Sequence, residues 1–179
     1  MEKTPMTVAG FEALKGELGR LKGEERKKVI KALEEARAHG DLSENAEYDA
    51  AKQAQGMLEG RIRELESKLA TAQVIDVETL SGEKVIFGAT VKVLDCDADK
   101  ELMLTIVGED EADAHRGLIS LTSPLARAFI GKTVGDIVEV HLPSGQKEYE
   151  ITDLVFETPD VRVKAFTYWG LAGPLHDRL

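Results

Sequence analysis

Apolar residues recur at helical spacing along the first 75 positions. Phe11, Leu14, Leu18 and Leu21 stand 3, 4 and 3 residues apart, the seam of a coiled coil, and Val29, Ile30, Leu33 and Ala36 resume that face after a charged interval. Thr7 is the N-cap this pattern predicts. A second seam has Ala51, Leu58, Leu65 and Ala72 seven residues apart, with Ile62 and Leu69 between them. Two such segments joined by a few residues bury both seams only by folding back on each other, so the pattern predicts an antiparallel α-hairpin. Its first arm, residues 7 to 39, has about 32 helical residues and a length of roughly 48 Å. Near the bend the seam is thin, with Ala46, Ala50, Ala51 and Ala54, which predicts a slender and only modestly stable end. The run Arg20, Lys22, Arg26, Lys27, Lys28 and Lys31 reads as a solvated face paired with neighbours such as Glu24 and Glu25; the alternative is a face for an acidic or phosphate-bearing partner.

At about residues 76 to 83 the heptads stop and the pattern turns to strand. Val85–Phe87, Val91–Leu94, Leu102–Val107, Leu118–Leu121, Asp136–Leu142 and Tyr149–Phe156 read as strands. Asp95 to Lys100 is the loop of one hairpin and Pro143-Ser144-Gly145 the turn of another. Ser123 and Pro124 open a short helix, Leu125–Ile130, closed by Gly131. The prediction is an α+β chain: a coiled-coil hairpin over residues 1–78, a small antiparallel β-sheet domain around one short helix over 79–156, and an extension over 157–179 with Phe166, Tyr168, Trp169 and Pro174 but no clear period.

The bend itself reads His39-Gly40-Asp41-Leu42-Ser43-Glu44-Asn45-Ala46-Glu47-Tyr48. Gly40 suits the position that ends a helix. Asp41 and Glu44 have the spacing of a capping box, which needs no function beyond starting the second helix. The same pair, carried on an arm, is also half of a Mg²⁺ site. That ion takes six oxygens and is commonly held by one or two carboxylates, with waters and substrate phosphates completing the set. Spacing alone leaves both readings open.

Charge and cysteine content narrow the function classes. The formal charge is −10, with 13 basic and 16 acidic side chains in residues 1–78 and 10 and 17 in residues 79–179. Autonomous or sequence-specific DNA binding requires a basic footprint that this balance lacks, so contact with nucleic acid is expected only locally or through a protein that already holds it. Cys96 is the single cysteine, which excludes an intramolecular disulfide and fits a reducing cytoplasm. No signal-like start and no membrane-length apolar run is present, so no membrane partner is expected. His115 and His141 are too isolated to suggest a metal site.

The bend motif, Glu35-Ala36-Arg37-x-His39-Gly40-Asp41-Leu42-x-Glu44-Asn45-Ala46-Glu47-Tyr48, together with Met6-Thr7-x-x-Gly10, Ala72-x-Val74-Ile75-Asp76, Phe87-Gly88-Ala89-x-Val91, Ile106-Val107-Gly108-x-Asp110-Glu111-Ala112-Asp113 and Ser123-Pro124-x-Ala126, resembles the Gre family of bacterial transcript cleavage factors over about residues 6–156. The resemblance implies an FKBP-like fold for the second domain, which docks on RNA polymerase while the hairpin enters its secondary channel. It implies that Asp41 and Glu44 help hold a Mg²⁺ shared with the polymerase, which then hydrolyses backtracked nascent RNA near its 3′ end. The chain would then be an elongation factor acting in trans, not a free-standing enzyme. Arg37 and Lys52 match hairpin basic residues that contact RNA, with surface solubility as the competing account. Ser123 and Pro124 match a polymerase-docking loop, or merely start the short helix. Tyr48 packs at the base of the tip or positions reacting groups. Position 43 is Ser where some members carry Lys, and the segment after Phe156 runs past the family's usual end. Two other classes share the architecture: a secondary-channel inhibitor that does not promote cleavage, and an FKBP-like isomerase or chaperone.

Overall fold

The computed structural model describes residues 2–41 and 45–166. In chain order the elements are β1 (Thr4–Thr7), α1 (Val8–Arg20), a π-helical turn (Leu21–Glu25), α2 (Arg26–Ala38), α3 (Ala46–Ala70), β2 (Ala72–Ile75), β3 (Thr90–Asp95), β4 (Lys100–Val107), β5 (Leu118–Ser120), α4 (Pro124–Phe129), β6 (Ile137–Leu142) and β7 (Gly145–Val155). The fold is α+β, a helical hairpin and a sheet domain. Two compact units result, one of Met1–Ala13 with Thr71–Val163 and the other of Leu14–Ala70 with the chain from Lys164 onward. These bounds differ from the division expected at 78 and 156. Residues on either side of the hairpin join the sheet unit because β1 pairs in parallel with β2, Thr4 opposite Ala72 and Thr7 opposite Ile75. Ala72 therefore belongs to a strand and not to the helical seam.

In the hairpin unit the buried row of the first arm is Leu14, Glu17, Leu21, Glu25, Val29, Leu33 and Ala36. From Leu21 to Leu33 it advances by three successive steps of four, which an α-helix of 3.6 residues per turn would carry off its own face. The π-helical turn at Leu21–Glu25 takes up the surplus and keeps the row aligned. Glu25 consequently faces inward, where Arg20 (2.9 Å) and Lys28 (3.0 Å) meet its carboxylate. Ile30, expected on the buried face, is 45% exposed. On α3 the buried residues are Ala51, Ala54, Leu58, Ile62 and Leu65, while Ala46 and Ala50 are exposed. Large side chains thus fill the base and alanines the distal end. The basic run is paired as well as solvated: Arg26 makes a two-bond fork to Glu59 across the arms, both at 2.8 Å, and Lys22 meets Glu66. The hydrogen bonds from Arg26 hold the Glu59 carboxyl below its ordinary range.

In the other unit five strands lie in the order β5-β4-β3-β7-β6. The hairpins β3–β4 and β6–β7 are antiparallel and turn where expected, as is the β3–β7 pair. The sheet is not wholly antiparallel, because β5 runs parallel to β4. Residues 108–117 between them form a crossover with two short 3-10 turns, and only a tight hairpin would have reversed the chain. α4 lies on the inner face, where Phe129 meets Tyr149 edge-on with ring centroids 5.9 Å apart, above Val91, Val93, Ile106, Val140 and Ile151. Val85–Phe87 is not a strand. Val85 is fully buried, but its N–H and C=O are taken by Lys132 and Gly131, both at 2.8 Å, and the chain then turns at Phe87-Gly88.

Candidate functional site at the hairpin tip

α2 ends at Ala38 and the chain reverses at Gly40, whose φ of +102° lies in the left-handed region and whose N–H donates to Arg37 C=O at 3.3 Å. Glycine at this position ends the helix without a Cβ penalty. Asp41 follows and is exposed. Glu44, the other predicted acid, lies outside the described residues, as do Tyr168, Trp169 and Pro174.

The capping box expected at Asp41 and Glu44 includes a residue outside those described, and the described start of α3 uses another side chain. The helix starts at Ala46, and its N-cap is Asn45, whose Oδ1 accepts the Tyr48 N–H at 3.1 Å. The Asn45 Nδ2 donates to Ala36 C=O at 2.7 Å. One side chain therefore satisfies an orphan donor at the start of α3 and an orphan acceptor at the end of α2. Asp41 stands four residues before this cap and is not the residue that starts the helix. Sequence reasoning missed Asn45 because the Asp41 to Glu44 spacing drew attention upstream, although an Asn directly before the first helical residue is itself an N-cap signal.

Around the turn, the Arg37 guanidinium carbon lies 5.9 Å from the centre of the half-buried Tyr48 ring, a cation–π distance. Tyr48 thus packs against the side chain singled out for RNA contact. His39 Nδ1 approaches Glu47 Oε2 at 3.5 Å. Lys52 is exposed on α3 and reaches Gln55 Oε1 at 3.4 Å. The tip therefore gathers Arg37, Asp41, Asn45 and Tyr48, with Lys52 one turn beyond Tyr48. Among the described residues no three His, Cys, Asp or Glu side chains form a group able to hold a metal ion. An exposed carboxylate has the chemistry of a donor that completes a coordination sphere built elsewhere.

Ser123 and Pro124 are far from this turn in sequence and belong to the other unit. Ser123 Oγ accepts the Ala126 N–H at 3.1 Å and Pro124 occupies the first turn of α4, so both start that helix as expected. Pro124 is also exposed. No described helix is long and apolar enough to cross a membrane.

The chain is similar to known proteins along most of its length. Residues 4–74 match the family model described as transcription elongation factor, N-terminal, and residues 80–155 the one described as transcription elongation factor, GreA/GreB, C-term. The chain is 61% identical over 152 residues to the transcription elongation factor GreA of Phenylobacterium zucineum (strain HLK1), covering 85% of this chain and 97% of that protein. It is 62% identical over 151 residues to that of Caulobacter vibrioides (strain NA1000 / CB15N), covering 84% and 96%. A solved structure of GreA factor homolog 1 from Thermus thermophilus is similar at 29% identity over 86% of this chain and 99% of that one, with a TM-score of 0.40.

Proposed function

Because the chain belongs to the GreA/GreB family of transcription elongation factors, we propose that it binds bacterial RNA polymerase through the secondary channel and stimulates the polymerase's own cleavage of backtracked nascent RNA. The observation that carries this reading is Asp41: it is exposed at the hairpin turn, and Asn45 does the work of starting α3.

In this reading Asp41 and Glu44 offer oxygens to a Mg²⁺ that the polymerase also holds. When bound, such an ion stabilises the attacking and leaving oxygens of phosphodiester hydrolysis. Asn45 joins the end of α2 to the start of α3 through Ala36 and Tyr48, which holds the two helix ends that flank the acids. Arg37, steadied on the Tyr48 ring, and Lys52 place positive charge beside the turn, where an RNA 3′ segment would carry its phosphates. Ser123 and Pro124 present the α4 start as a docking surface. The chain contributes groups and the polymerase performs the reaction, so the factor alone is no nuclease.

The test is a backtracked elongation complex assembled on a scaffold with labelled RNA. Adding the protein should release short 3′ fragments, and the Asp41→Asn, Glu44→Gln double variant should release none above the polymerase's basal rate. Undiminished cleavage with the double variant overturns the assignment of the acids. Slower cleavage on addition of the unaltered protein would instead identify a channel inhibitor.

A further inference from the structure

The family models end at residue 155, yet the segment that follows makes specific contacts. Within the sheet unit Thr158 donates to Glu78 Oε1 at 2.8 Å, and Asp160 pairs with Arg116 at 2.5 Å. Within the hairpin unit Phe166 meets three side chains. Its N–H donates to Glu17 Oε1 at 2.8 Å, its carbonyl accepts from Arg20 Nη2 at 3.1 Å, and the Arg61 guanidinium carbon lies 5.9 Å from its ring centre. The Glu17 side chain is only 8% exposed and is itself fixed by a two-bond fork from Arg20, both bonds at 2.8 Å.

We propose that Glu17, Arg20 and Arg61 form a peptide site on the hairpin for an aromatic residue in a non-helical segment, and that this chain's own C-terminal extension is the occupant, stapling α1 to α3 through Phe166. The site reads both backbone groups of a single residue and its ring, which are the features a peptide-binding site uses for affinity and for selection. Two of the contacts are hydrogen bonds to charged groups, the stronger kind. Glu17 and Arg20 belong to α1 and Arg61 to α3, so an occupied site ties the two arms together where their large apolar residues meet. Site and occupant share one chain, so the effective concentration of the ligand is high and no partner is required. Burial alone would raise the Glu17 carboxyl, but hydrogen bonds from Arg20 and from the Phe166 N–H, with the charges of Arg20 and Arg61, outweigh it and hold the group below its ordinary value.

Amide hydrogen exchange on the full chain tests this independently of any effect on transcription. Phe166→Ala removes the ring, and Phe166→Pro removes the N–H that Glu17 accepts. Neither substitution touches the buried cores, so the fold persists in both. Exchange should accelerate about tenfold over residues 14–21 and 58–65 in each variant, as expected for losing one charge-assisted contact, while β3 and β7 stay unchanged as internal controls. Adding a peptide of residues 157–166 to Phe166→Ala should restore protection. Unchanged rates over residues 14–21 and 58–65 in both variants, or acceleration spread equally over the sheet, would overturn the proposal.

Discussion

The carboxylate of Glu111 accepts the backbone N–H of Thr7 at 3.1 Å, 104 residues away in sequence, and also receives the Thr7 hydroxyl. The Thr7 hydroxyl goes to Oε1, whereas Oε2, which takes the Thr7 N–H at 3.1 Å, also accepts the Gly108 N–H at 2.7 Å. The Thr7 hydroxyl in turn accepts the Gly10 N–H at 3.0 Å, which is the N-cap bond of α1. Glu111 is 1% exposed and Thr7 equally buried, so within the sheet unit this chain of hydrogen bonds ties the start of α1 to the loop after β4.

Glu111→Ala would strand buried N–H donors at Thr7 and Gly108, each costing about 1–3 kcal/mol. The expected loss is about 3 kcal/mol in denaturant unfolding. Gly10→Ala separates two opposing effects. Helix propensity favours alanine by about 1 kcal/mol, but the new Cβ would fall inside contact distance of the Glu111 carboxylate, and overpacking a fixed group costs about 1–3 kcal/mol. A net loss of stability is expected, and a gain would show that the carboxylate moves aside freely.

At the tip, stability and function should come apart. Asn45→Ala removes the cap and should cost about 1 kcal/mol in unfolding. Asp41→Asn should change stability by less than about 0.5 kcal/mol while abolishing stimulation of RNA cleavage. The two variants measured side by side, by thermal unfolding and by fragment release, decide whether Asp41 serves the fold or the partner.

Arg37 and Tyr48 can be separated in the same assay. Tyr48→Phe keeps the ring beneath the guanidinium and should leave cleavage near its original level, whereas Tyr48→Ala frees Arg37 at a cost of about 0.5–1 kcal/mol and should raise the factor concentration giving half-maximal cleavage. Equal behaviour of the two variants would argue against the stacking.

For the α4 start, Ser123→Ala removes the cap bond to Ala126 and should cost about 1 kcal/mol. If the exposed Pro124 also docks, a bulky charged replacement such as Pro124→Glu should raise the half-saturating concentration in the cleavage assay more than it lowers the unfolding midpoint. A change confined to the midpoint would assign Pro124 to the helix alone.

Asp95, at the end of β3, accepts from the Asp97 and Ala98 N–H groups at 3.0 and 3.1 Å and from Lys147 at 3.0 Å. The Ala98 N–H, followed by Lys147, holds its carboxyl below the ordinary 3.8. The folded state therefore binds this proton more weakly than the unfolded state. The stabilisation is complete above the ordinary value and disappears as pH falls through the lower folded one. Asp95→Asn should flatten that acidic limb of a stability–pH profile and leave the profile above pH 6 parallel to that of the unaltered chain.

What the sequence determined by itself is whatever depends on neighbours in the chain. The two seams specify a hairpin because residues three and four apart share a helix face, the alternation around Val138 and Tyr149 specifies strands, and Ser123-Pro124 specifies a helix start. The bend motif and its resemblance pointed to Asp41 and Glu44. Tertiary structure decided what depends on partners remote in sequence. Val85–Phe87 has strand-forming residues but no neighbouring strand to complete a ladder, and β5 runs parallel because its crossover leaves it that direction. β1 exists because Ala72–Ile75 lies beside it, Glu111 is buried because Thr7 and Gly108 supply its donors, and Asn45 caps α3 with a side chain that also reaches Ala36 on the other helix. Local patterns fix which elements form, while the long-range hydrogen bonds that satisfy buried and terminal polar groups can be assigned only once the chain has closed on itself.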